Sequence, residues 1–154
     1  MNTKILIFVI ISLALVIPSV YAQEASIGEK AKQKSVKVTI SDKGDVHVKH
    51  VVSSSNSPKQ LTLIEGIVEN LTITDEKGEE QLLTVVGNNN AVIIFPSNDN
   101  SIIEYDLSEV LVQKNNVWTW DFLYLQTTSF MFPEELDLIF VNDRPVHLDK
   151  KNGI

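Results

Sequence analysis

The apolar positions of this chain change their spacing once. From Ile5 to Ile17 they run together without a charge, whereas from Val36 onward they alternate with polar ones. Alternation with period two is the mark of a strand that rests one face on a core. Val36, Val38 and Ile40 alternate with Lys37, Thr39 and Ser41; Asp42-Lys43-Gly44-Asp45 turns the chain, and Val46 and Val48 return against His47 and Lys49. This predicts a β-hairpin, with Gly44 placed where a positive φ is needed. Ser53 to Lys59 reads as a loop, Leu61 to Ile64 and Ile67 to Thr74 as strands separated by a bend at Glu65-Gly66, and Asp75 to Glu79 as a second hairpin turn before Gln81 to Val86. Gly87 to Asn90 turns the chain again. Ala91 to Phe95 is short and wholly apolar, the pattern of a strand buried on both faces. Further strands are predicted over Ile102 to Leu107, Val110 to Gln113, Val117 to Leu125, Leu136 to Val141 and Val146 to Leu148. Short strands with turn signals about every 8 to 12 residues, and no stretch of helical period, predict an antiparallel β-sandwich, immunoglobulin-like in the loose sense.

The apolar run at the start has a different meaning. Lys4 supplies a positive charge ahead of it, Pro18 breaks it, and Val20-Tyr21-Ala22 offers a cleavage site before Gln23. The run is short of the roughly 20 residues that span a bilayer. Residues 1–22 therefore read as a secretory signal peptide, 23–35 as a polar, flexible lead-in, and 36–154 as the β-sandwich domain. The expected localisation is secreted or cell surface, with contact to a membrane only through an uncleaved signal.

Composition narrows the chemistry mostly by exclusion. The chain has no cysteine, so it has no disulfide framework, thiolate nucleophile, iron–sulfur ligand or lipid-bearing cysteine at the cleavage site. Its formal net charge is −7, and loss of Lys4 with the leader makes the mature chain more negative by a single charge. Such a domain repels phosphate backbones, and no basic stripe with interleaved aromatics is present, so nucleic acid is not an expected partner.

Several features invite functional readings. Trp118, Trp120, Phe122 and Tyr124 share one face of a predicted strand and suggest either a stacking platform or core. The other face, Val117, Thr119, Asp121, Leu123 and Leu125, is also fairly apolar, which favours a buried central strand. His47, His50 and His147 are the candidate metal ligands for copper or zinc; the first two lie three apart in a strand and so point to opposite faces, which favours solvated histidines on an edge hairpin. Oxygen-rich turns at Asp42 to Asp45, Asp75 to Glu80 and Ser97 to Asn100 suggest structural calcium, but none has calcium-loop spacing. Glu134-Glu135 and Asp137 suggest the paired carboxylates of glycoside hydrolysis, but adjacent residues do not converge on one bond. Asn70-Leu71-Thr72 is the single N-glycosylation sequon, read on a strand face with Val68, Thr72 and Thr74. Arg144, the one arginine, reads as pinning the last turn through an ion pair.

The hairpin Val36 to Val52, the Trp-Thr-Trp-Asp-Phe strand and the later Phe-Pro-Glu-Glu bend together resemble the extracellular β-sandwich domains of uncharacterised archaeal exported proteins. The resemblance covers roughly residues 36 to 149 and implies a sandwich fold, but it points to no catalytic residues; no cofactor is expected. The functional expectation is a non-enzymatic secreted or cell-surface module for binding or assembly. Its partner would be an extracellular protein or glycan, with self-association through edge strands. The alternative is an extracellular metal-binding protein, with copper or zinc held by histidines or a structural calcium; a polysaccharide-active enzyme comes third.

Overall fold

The computed structural model describes residues 28–141 and 145–147. The signal-peptide reading, the first residues of the lead-in, the Arg144 ion pair and the end of the last predicted strand lie outside the described residues.

Alternation of small β-branched residues does what its period demands. Strands β2 (Gln33–Ile40) and β3 (Val46–Val52) form the predicted hairpin, with Val36, Val38, Ile40, Val46, Val48 and Val52 buried on one side. β3 also pairs antiparallel with β8 (Ser101–Ser108), and β8 with β5 (Ile67–Asp75). β11 (Ser129–Met131) adds in parallel to β2, giving a five-stranded sheet of order β11-β2-β3-β8-β5. A four-stranded sheet of order β1-β4-β7-β6 faces it, built from β1 (Glu29–Lys30), β4 (Lys59–Thr62), β6 (Leu83–Val86) and β7 (Ala91–Ile94). β9 (Val112–Lys114) and β10 (Val117–Thr119) make a separate two-stranded ribbon. No helix occurs among the described residues.

The molecule is a mostly antiparallel β-sandwich whose core joins Val36, Val38, Val48, Ile73, Ile103, Tyr105 and Leu107 of one sheet to Leu61, Val92 and Ile94 of the other. β7 is buried at all four positions, as its apolar run requires, but Phe95, expected to be buried with them, lies beyond the strand and is exposed.

Several readings from the sequence need correction. Glu29–Lys30 and Gln33 to Ser35 are paired in strands, so the polar lead-in is part of the sheet framework from residue 29. The hairpin carrying His47 and His50 is not an edge: β3 lies in the middle of the five-stranded sheet, because β8 returns to pair beside it. Val117 to Leu125 is not a central strand. Among the described residues it is ladder-paired over Val117–Thr119 alone, and beyond that its alternation persists without a partner strand, with residues 120, 122 and 124 half-buried against the core and Leu123 and Leu125 exposed. Leu136 to Val141 pairs with no strand among the described residues and leaves Leu138, Ile139, Phe140 and Val141 exposed.

β5 departs from simple alternation for a local reason. Glu69 pairs with Asp106 and Thr72 with Glu104, so Asn70 and Leu71 together oppose Tyr105. This is a β-bulge, and Asn70 adopts the left-handed φ of 52° that asparagine tolerates better than most residues. The extra residue resets the period: Val68 pairs with Leu107 on the core side, whereas Thr72 and Thr74 remain outside. The expected face of Val68, Thr72 and Thr74 is thereby split.

Candidate functional site

Two histidines three residues apart on one strand end up in opposite environments. His50 shares the inner side of β3 with Val46, Val48 and Val52 and is fully buried. Its ring stacks on Tyr105 with centroids 5.6 Å apart. The Oε1 of Gln33 lies 2.7 Å from His50 Nδ1, and an amide oxygen only accepts, so Nδ1 carries the proton. Nε2, 2.9 Å from the Tyr105 hydroxyl, then accepts from it. The same hydroxyl oxygen accepts the Ile64 backbone N–H at 2.9 Å. Gln33 Nε2 donates to the Tyr124 hydroxyl at 3.0 Å, and that hydroxyl donates to the Thr62 carbonyl at 2.7 Å.

This chain of bonds links β2, β3 and β8 of one sheet to Thr62 at the end of β4 and Ile64 just beyond it, and fastens the aromatic segment through Tyr124. Among the described residues no buried side-chain polar atom is left without a partner, so the network is satisfied rather than strained. Burial pushes the His50 imidazole down to about 4. Burial likewise pushes the Tyr105 and Tyr124 hydroxyls up. Both His50 ring nitrogens are committed to the core.

His47 lies on the opposite, solvent-facing side, where antiparallel pairing sets it directly across from Asp106. Its Nδ1 donates to Asp106 Oδ1 at 2.8 Å, and the second carboxylate oxygen accepts Asn70 Nδ2 at 2.7 Å. The Asn70 amide first, and His47 second, hold the Asp106 carboxyl below its ordinary range. Lys49 and His47 Nε2 flank Glu104 Oε1 at 3.0 and 3.7 Å. Beside this group opens a cleft of about 410 Å³, walled by Asp45, Glu69, Asp106, Glu109 and Trp118. The Trp118 ring lies flush on Gly44, where a Cβ would meet its Cη2 at 2.7 Å. The cleft can present an imidazole oriented by a carboxylate, several acidic acceptors and one indole to a polar or cationic group.

His147, the third predicted ligand, is exposed in the C-terminal segment. Among the described residues no group of three or more His, Cys, Asp or Glu side chains is placed to hold a metal ion. At each oxygen-rich turn a side-chain oxygen accepts from the turn's own backbone. Asp75 Oδ1 accepts the Lys77 and Glu79 backbone N–H groups, and Ser41 Oγ accepts those of Lys43 and Asp45. Pro133 to Leu136 forms the predicted bend, closed by the Leu136 N–H on the Pro133 carbonyl at 3.1 Å.

The aromatic residues are a packing device. Trp120, Phe122 and Phe130 meet edge to face, with centroids 4.9 to 6.0 Å apart. They rest against the core rather than line a groove. Sequence reasoning missed Gln33, hidden in a polar stretch, and Asp106, whose partner depends on which strand lies beside β8. The alternation of Ile103, Tyr105 and Leu107 with Glu104 and Asp106 does carry the signal that those two acids face outward. No protein-family model, curated protein or solved structure matches this chain.

Proposed function

We propose that the protein is an exported, non-enzymatic module that assembles with further copies of itself by strand addition. The observation that carries this reading is the segment Leu136 to Val141. It is ladder-free, and Ile139 and Phe140 are 76% and 81% exposed, beside the exposed Leu138 and Val141. A contiguous exposed apolar stretch is costly in water and is characteristic of an interaction surface. The complement is present in the same molecule. β6 ends the four-stranded sheet, no strand among the described residues pairs with its outer edge, and Leu82 and Val85 beside that edge are exposed. An extended apolar segment meeting an open apolar edge is the arrangement of β-augmentation, in which main-chain bonds supply affinity and side chains supply specificity. Export is supported by the leader pattern of residues 1–22, and a surface role by the resemblance to archaeal exported sandwiches.

The test is light scattering on the chain from Gln23 onward over a wide concentration range. Mass should rise with concentration, and Phe140→Lys should return it to the monomer. A wild-type chain that stays strictly monomeric at high concentration overturns self-assembly.

A further inference from the structure

The bulge in β5 places the one sequon of the chain in an unusual position. β5 is the terminal strand of the five-stranded sheet. Residues 79 to 81 cover its outer edge around Ile73 to Asp75, through the Thr74–Glu80 bridge and the Asp75 and Gln81 backbone bonds. Around Asn70 no strand among the described residues covers that edge. Asn70 and Thr72 are both exposed, whereas Leu71 between them packs on the core and holds the bulge in place.

We infer that Asn70 is an N-glycosylation site whose sugar covers the open half of the β5 edge. The inference rests on the export reading, because the sugar donor is met on the far side of a membrane. In the transfer, Asn70 Nδ2 bonds to the anomeric carbon of a lipid-phosphate-linked oligosaccharide. The bond from that carbon to the phosphate oxygen breaks, its electron pair leaves with the lipid phosphate, and Nδ2 gives up one proton. The Thr72 hydroxyl, two residues on, completes the acceptor motif. Nδ2 keeps its other N–H, and one N–H is all that the bond to Asp106 at 2.7 Å requires. The folded site therefore accommodates the modified residue without losing its ladder, its bulge or the carboxylate contact.

The placement gives the sugar a task. An exposed strand edge is a template for unwanted pairing, and a bulge together with a bulky hydrophilic group blocks it. A glycan at Asn70 leaves the β6 edge open and also overhangs the rim of the His47–Asp106 cleft.

The experiment is peptide mapping by mass spectrometry of the full-length gene product recovered from its own cells, with the N-terminus read from the same sample. The tryptic peptide 60–77 contains Asn70 as its single asparagine. The expected result is that this peptide carries saccharide mass increments in the wild type and none in Thr72→Ala, which removes the sequon but keeps Asn70 and its bond to Asp106. Unmodified peptide from a chain beginning at Gln23 overturns the glycosylation and leaves export standing. Unmodified peptide from an intracellular chain beginning at Met1 overturns both.

Discussion

At the scale of single residues, burial decides what each group can do. His50 is neutral because the core withholds water from it, and its depressed pKa becomes a cost to stability in acid. The unfolded chain binds the proton near the ordinary value of 6.5, the folded chain only near 4. Acid therefore favours unfolding across that window. Stability should be flat with respect to His50 above about pH 6.5 and fall by about 1.4 kcal/mol per pH unit below it, about 3 kcal/mol in all. Urea titrations at several pH values measure the slope, and His50→Gln, less stable overall, should lose it. The carboxyls held low, Asp75 and Asp106, act in the same direction but only in more acid solution, since their stabilisation is lost as pH falls through their folded values. Gly44 offers a second residue-scale test. Gly44 and Gly78 have φ of 85° and 84°, so alanine at either meets the same backbone strain, but a Cβ at 78 meets nothing whereas one at 44 meets Trp118. Gly44→Ala should be the more destabilising by about 1 kcal/mol or more, the cost of displacing a packed ring. Equal losses in thermal unfolding would refute the contact.

At the scale of elements, pairing partners matter more than pattern. The segment after β10 keeps the alternation of a strand but pairs with no strand among the described residues, and is held by side chains: Trp120, Phe122 and Phe130 edge to face, and Tyr124 on Gln33 and Thr62. Removing one ring should therefore loosen the whole segment. Phe122→Ala should cost about 2 to 3 kcal/mol, below the full value for a wholly buried phenylalanine. It should also speed amide exchange from 120 to 131 while β3 and β8 stay protected. Unchanged exchange there would mean that the segment is held by something other than its aromatics. That this stretch follows period two was legible in the sequence. That it is not a central strand was not, because both its faces are apolar enough to be buried and only the position of β2 and β11 decides how much of it is covered.

At the scale of the whole molecule, charge and apolar exposure oppose each other. A chain with a formal net charge of −7 repels its copies, whereas the proposed self-association would bury the exposed Leu138, Ile139 and Phe140. Association should therefore strengthen with added salt, which screens the repulsion but leaves the apolar gain intact. Sedimentation at low and moderate ionic strength checks this, and weaker association in salt would point to an ionic interface instead.

The sequence by itself determined which side chains face inward along each regular strand, because a strand sends alternate residues to opposite sides whatever lies next to it. The split between His47 and His50 followed from that periodicity, the turn at Gly44 from its turn residues, and the burial of Ala91 to Ile94 from an unbroken apolar run. Tertiary structure decided which strands are neighbours. The return of β8 between β3 and β5 moved a presumed edge hairpin to the middle of a sheet, set His47 opposite Asp106, and brought Gln33, His50, Tyr105 and Tyr124 into one network. Strand order is fixed by contacts between residues far apart in the chain, and local alternation carries no record of them.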